Sequence, residues 1–88
     1  MTINIKDFKN KIIYRANYRG TKEMDKLLGS FTDKYINTFD TKELHQLSDL
    51  LDIDDENLYK FNQGYEISII LDNNKVTELF KNYTFKKK

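Results

Sequence analysis

Apolar side chains recur along the chain at helical spacing. Phe8, Ile12 and Ala16 stand four residues apart, with Ile5 and Ile13 beside them, and so fall on one stripe of a helix expected over about Lys6 to Tyr18 and entered at Asn4. Gly20 follows where a helix commonly ends in a left-handed residue, and Thr21 is placed to cap the next helix. A sharp corner is expected there. Met24, Leu27, Leu28, Phe31 and Tyr35 lie at offsets of three, four, seven and eleven, which gives the second helix a single apolar face. Gly29 inside it marks a close approach or a bend. Asp40 with Glu43 three residues on has the pattern of a capping box, with Phe39 placed to staple against Leu44. Leu44, Leu47, Leu50 and Leu51 then form the buried face of a third helix. Asp54 repeats the device, with Ile53 opposite Leu58, and opens a short fourth helix that closes at Gly64 after Phe61. Between Tyr65 and Leu71 the pattern is ambiguous. Ile67, Ile69 and Leu71 alternate as in a strand, but a lone strand has nothing to pair with, so the segment reads as an extended connector or the start of a helix. The last helix is expected over Asn74 to Tyr83, burying Val76, Leu79, Phe80 and Tyr83. The pattern predicts an all-α fold, a compact bundle of five short helices.

At 88 residues the chain makes one domain, 1–88, and a domain of that size removes roughly 60 to 65% of its unfolded surface from water. Its core is therefore thin, and six Tyr and six Phe are expected to carry much of the burial. Pro is absent and Gly occurs only at positions 20, 29 and 64, so nothing punctuates the chain as a linker would. Residues 84–88, ending in Lys86, Lys87 and Lys88, read as a disordered, solvated tail. The absence of cysteine excludes disulfides and thiolate metal sites and suits a reducing compartment. No apolar run approaches the roughly 18 to 20 residues needed to cross a bilayer, so no membrane insertion is expected. The first residues lack a charged start followed by an apolar stretch, and Asp7 comes early, where a transit peptide avoids acid. A bacterial-type cytoplasmic protein, monomeric by default, is the expectation.

The formal net charge of +1 hides an uneven distribution. Residues 1–26 hold seven basic and three acidic groups, residues 27–66 hold three and nine, and residues 67–88 hold five and two. Basic ends around an acidic middle suit a protein partner with patches of its own, whereas a duplex binder carries a larger excess of Lys and Arg.

The chain offers poor material for catalysis. His45 is the only imidazole; it shares a helix face with Lys42 and Asp49 and reads as an exposed surface residue. Asp49, Asp52, Asp54, Asp55 and Glu56 crowd one region but lack the glycine and the spacing of a calcium loop. No two glycines lie close enough to build a phosphate-cradling loop. No metal, no stably bound cofactor and no enzymatic activity of its own are expected.

One segment stands apart: RGTKEMDKLLGSF, from Arg19 to Phe31, preceded by Tyr14, Arg15 and Tyr18. It resembles the signature of the SdhE family, the small flavinylation and assembly factors of succinate dehydrogenase and fumarate reductase, whose hallmark is Arg-Gly-x-x-Glu followed by an acidic residue and an apolar helix. Arg19, Gly20, Glu23 and Asp25 match it in step. A second block, LLDIDDENLYKF followed by Gly64, is similar to the family's double leucine, acidic turn and Leu-Tyr-x-Trp stretch, through Leu50, Leu51, Asp55, Leu58 and Tyr59. Phe61 stands where Trp is commoner. The resemblance covers roughly residues 8–64. Beyond Gly64 the chain lacks the proline often found in the family, and its Ile-rich connector departs from the usual polar entry to the last helix.

The resemblance implies a chaperone that binds the flavoprotein subunit of succinate dehydrogenase, with fumarate reductase a further candidate, and promotes covalent attachment of FAD to it. The FAD then belongs to the partner subunit. By the same resemblance Arg19, Gly20 and Glu23 form the centre of the docking surface, Arg19 presenting its donors outward, with Arg15, Tyr18, Thr21, Lys22 and Asp25 around them. Tyr59 and Phe61 are expected to pack beneath the corner. From spacing alone, Gly20 reads as a helix terminator and Glu23 as a complement to the positive end of the second helix; the second block reverses that preference. On the residues alone two rivals stay open: a helical protein-interaction adaptor, antitoxin-like in kind, and a small nucleic-acid-binding domain using Lys6, Lys9, Lys11, Arg15, Arg19, Lys22 and Lys26.

Overall fold

The computed structural model of the chain describes residues 4–67, 69 and 71–84. Five helices follow one another: α1 (Ile5–Asn17), α2 (Lys22–Tyr35), α3 (Thr41–Leu51), α4 (Asp55–Gln63) and α5 (Lys75–Lys81). No strand forms among the described residues, and the all-α bundle expected from the periodicity is the fold observed. α1 packs on α2 and α3, while α5 packs on α3 and α4.

Helices this short are marginal on their own and leave their first N–H groups without partners. Every one of the five meets that cost in the same way, with a side chain accepting from the backbone N–H three residues on. Asn4 accepts from Asp7 at 3.3 Å and Thr21 from Met24 at 3.2 Å. Asp54 accepts from Asn57 at 3.3 Å. Asp40 and Glu43 form the full capping box, Glu43 N–H donating to Asp40 at 2.8 Å and Asp40 N–H to Glu43 at 2.9 Å. Asn74 and Thr77 form a second one, with both bonds at 2.9 Å. These are local sequence devices, which is why the entries at Asn4, Thr21, Asp40 and Asp54 are legible before any fold is known.

The core runs from Ile12 and Ala16 through Leu28 and Phe31 to Leu44, Leu47, Leu50, Leu58, Val76 and Phe80, all buried. Phe31 is its hub. The rings of Tyr35, Phe80 and Tyr83 lie 5.1, 5.2 and 5.3 Å from it, the last two edge-on, an arrangement the ring quadrupoles favour. The C-terminal helix is tied in by polar groups as well. The Asn62 amide donates to the carbonyls of Phe80 and Tyr83, each at 2.8 Å, and the Tyr83 hydroxyl donates to Ser30 at 2.7 Å.

In detail the structure corrects some expectations and bears out others. α1 ends at Asn17, because Tyr18 already leaves the helical region (φ −129°, ψ 66°). α5 is shorter at both ends than 74–83: Asn74 is its cap and Asn82 closes it, so Tyr83 lies beyond the helix. Residues 65–67 and 71–73 form a connector without helix or strand, while positions 68 and 70 of the ambiguous segment, and 85–88 of the expected tail, lie outside the described residues. Ile5 and Ile13, at 36% and 38% exposure, sit on the margin of the apolar stripe instead of within it. Phe39 is buried and stacks on Tyr35 at 5.9 Å. Gly29 serves close packing: a Cβ there would come within 2.4 Å of the Asn17 side chain at the end of α1. His45 is exposed and lies against Phe8 at 4.8 Å.

Removing the reciprocal cap with Asp40→Ala is expected to destabilise the fold by about 1 kcal/mol, read as a lowered urea midpoint with an unchanged denaturant slope. Asp54 makes the second prediction, through pH. Hydrogen bonds from the side chain and then the backbone of Asn57 hold its carboxyl below the ordinary value of 3.8. A carboxyl depressed in the folded state stabilises the fold above the unfolded-state pKa and loses that contribution as pH falls through the folded-state one. Asp54→Asn should therefore flatten the dependence of the urea midpoint on pH between about pH 5 and pH 3; a slope identical to wild type would contradict the assignment.

Candidate functional site

The α1–α2 corner is built around Gly20, which adopts φ +113°, a conformation that side-chain-bearing residues avoid. A Cβ at Gly20 would meet nothing within 4 Å. The corner is thus open to solvent on its outer side, and its glycine is required by backbone angle, not by internal crowding. Thr21 spends its side chain on the α2 cap. Lys22 and Glu23 follow on the first turn of α2, both exposed, and neither forms an ion pair among the described residues.

Arg19 corrects the expectation of an outward fork. All three of its donor nitrogens are used inside the protein: Nε donates to Asp55 at 2.9 Å, Nη1 to the Leu51 carbonyl at 2.6 Å and Nη2 to the Ile53 carbonyl at 2.7 Å. Its side chain is 11% exposed. The Arg19 N–H donates in turn to Asp25 at 2.5 Å, so the acidic residue of the motif also faces inward. The physical reason lies at the end of α3. A helix leaves its last four carbonyls unpaired and its C-terminus partly negative, and the last turn of α3 contains no basic residue. The cations come from α1 and the corner after it instead. Arg15 donates to the Ser48 hydroxyl at 2.9 Å and the Ser48 carbonyl at 3.3 Å and pairs with Asp52, while Arg19 takes the carbonyl of Leu51. The two carbonyls between them, of Asp49 and Leu50, accept from the N–H groups of Asp52 and Ile53. All four are satisfied, two of them by arginines, Arg19 of the first motif block and Arg15 just before it.

The motif therefore divides. Arg15, Arg19 and Asp25 hold the corner, and Gly20, Lys22 and Glu23 are what it exposes. Tyr18, 69% exposed, stands on the α1 side with its ring 4.6 Å from that of Tyr14, itself 65% exposed. On the α2 side Lys22, Glu23 and Lys26 rim an open cleft of about 430 Å³ whose floor includes Met24 and Leu27 and whose far wall is formed from α4 by Tyr59, Asn62 and Gln63. Tyr59, 46% exposed, faces this cleft and does not fill the space beneath the corner. Phe61 turns to α5, its ring stacked on Phe80 at 6.4 Å.

Sequence reasoning left Tyr14 and Lys26 out of the docking set and missed the role of Tyr59 as a wall. It also missed Asp55, Ser48 and Asp52 as the anchors of the arginines. No local signal could have found them, since they lie 33 to 37 positions from the arginines they hold. The described residues contain no group of three or more His, Cys, Asp or Glu side chains able to hold a metal ion, and no described helix is long and apolar enough to cross a membrane. What the arrangement offers is a rigid, open corner beside an amphipathic cleft.

Comparison with known proteins gives the family. The family model described as the flavinator of succinate dehydrogenase matches residues 10–84. The protein named succinate dehydrogenase assembly factor 2, mitochondrial, of Scheffersomyces stipitis is 33% identical over 81 residues, 91% of this chain and 53% of that protein. The chain thus spans about half the length of that relative. No solved structure gives a significant match. The family match takes in the corner, the arginine anchors, the cleft and the whole of α2 to α5, and the chain belongs to the family of succinate dehydrogenase flavinators.

Proposed function

We propose that this chain is an assembly factor that docks on the flavoprotein subunit of succinate dehydrogenase through the Gly20–Glu23 corner and promotes covalent attachment of FAD to that subunit. Family membership supports the role. The observation that carries the choice of surface is the division of the motif: Arg19 and Asp25 are consumed in holding the corner, and Gly20 and Glu23 remain outward, beside a cleft with Tyr59 on its far side.

The reading assigns the bond-forming chemistry to the flavin and its host subunit, and binding to this chain. A binder promotes a reaction in its partner only by preferring the partner's competent conformation, by the ratio of its affinities for the two states. A rigid surface meets that requirement better than a pliable one, since less ordering is needed on contact. Gly20 lets a partner's backbone approach the corner without a side chain in the way. Glu23 accepts from a partner's donors, Lys22 and Lys26 donate, and Tyr18 and Tyr59 supply amphipathic area at low entropic cost. FAD stays with the partner subunit in this proposal, the factor acts as a non-catalytic monomer, and a cysteine-free chain suits a reducing, cytoplasmic setting.

The test uses Gly20→Ala and Glu23→Ala. Each is checked for helix content by circular dichroism and then supplied to cells lacking the wild-type factor, where in-gel flavin fluorescence reads covalent FAD on the flavoprotein. The expected result is retained helicity with covalent flavin reduced about tenfold or more, the loss of a central contact of 1.4 kcal/mol or above. Undiminished flavin with both variants would remove the corner as the docking site. Loss of helicity in both would return Gly20 and Glu23 to a structural role.

A further inference from the structure

We propose that Asp55 is a positioning residue of the docking corner, acting through Arg19: the second sequence block holds the first in its binding geometry. The inference rests on the corner as the docking surface and goes further, because Asp55 belongs to a different helix and lies 36 positions from Arg19.

Three of the four fixed points of Arg19 lie at the α3–α4 junction. Two of those are main-chain carbonyls, of Leu51 and Ile53, which any residue would offer. Asp55 is the one side chain among them, so it is the point at which sequence decides whether the fork is held. Its geometry favours a real constraint. The Arg19 side chain is 11% exposed and that of Asp55 29%, so the pair is partly shielded from solvent, unlike the freely solvated pairs that contribute little. A guanidinium with each of its three nitrogens engaged is fixed in orientation, and its backbone is pinned again by the N–H donated to Asp25.

Gly20 makes this constraint necessary. With φ +113° and no side chain, it has no packing of its own to fix its conformation, and its flexibility would spread to Glu23 unless both flanks were fastened. Thr21 fastens one flank through the α2 cap. Arg19 fastens the other. The start of α4 does not depend on Asp55 for its cap, which Asp54 supplies, and Glu56 adds negative charge in the same first turn. Asp55 is thereby free to serve the α1–α2 corner without compromising its own helix. When the corner samples other geometries, apparent affinity falls in proportion to the competent fraction.

The experiment compares Asp55→Ala, Arg19→Ala and the double variant with Glu56→Ala, whose side chain pairs with Lys60 at 3.6 Å and not with Arg19. Affinity for the isolated flavoprotein subunit, free of covalent flavin, is measured by calorimetry at a temperature where circular dichroism shows every variant folded. Amide resonances of Gly20 to Glu23 are recorded on the factor alone. Asp55→Ala is expected to shift or broaden those resonances and to weaken binding about tenfold, with Arg19→Ala equivalent and the double variant no weaker than either single. Glu56→Ala should leave both readouts at wild type. A role in stability alone would lower the melting temperature and leave the affinity of the folded protein intact, and that result overturns the proposal. So would losses that add in the double variant. Should the wild-type factor itself fail to bind the flavoprotein, the docking reading falls, and the corner resonances still decide: unmoved by Asp55→Ala, they refute positioning; displaced as in Arg19→Ala, they uphold it.

Discussion

A helix that ends inside a small protein must find partners for its last carbonyls, and at the end of α3 two of those partners are arginines, one from α1 and one from the corner that follows it. α3 has no cation in its final turn, and the chain folds so that Arg15 and Arg19 of the first segment reach it from across the bundle. Much follows from that one requirement. The α1–α2 corner is fixed against the α3–α4 junction, the glycine between the two helices is held at a positive φ, and the residues following it are delivered to the surface in a defined direction.

The same requirement explains why two short sequence blocks belong together. Read separately, an Arg-Gly-x-x-Glu and an acidic turn after a double leucine are weak signals, since each has an ordinary role at a helix boundary. In the folded chain they meet through Arg19, which bonds Leu51, Ile53 and Asp55 in one stroke. A planar fork with five fixed N–H directions is suited to that geometry, and a lysine ammonium is not.

What the sequence made legible was whatever depends on neighbours three or four positions away. The five helices, the caps at Asn4, Thr21, Asp40 and Asp54, the Gly64 terminator and the buried faces of α2 and α3 all follow from such local relations. The orientation of Arg19 did not. Its acceptors lie 32 to 36 positions away, and no local pattern distinguishes an arginine that closes a distant helix from one that greets a partner. Phe61 was misplaced for a related reason, because its turn toward α5 depends on where that helix docks. The length of α5 was overstated where Tyr83 keeps the helical spacing of its predecessors but packs from outside the helix, edge-on to Phe31.

Asn62 joins two parts of the molecule that the chain order keeps separate. Its amide nitrogen covers the main-chain oxygens of Phe80 and Tyr83, and the same residue borders the cleft beside the corner. The C-terminal helix, at seven residues, is too short to persist without such outside support. Displacement of that one amide would strip a donor from two carbonyls at once and leave that of Phe80 to backbone N–H groups alone, which makes the wall of the cleft and the anchorage of α5 a single mechanical unit.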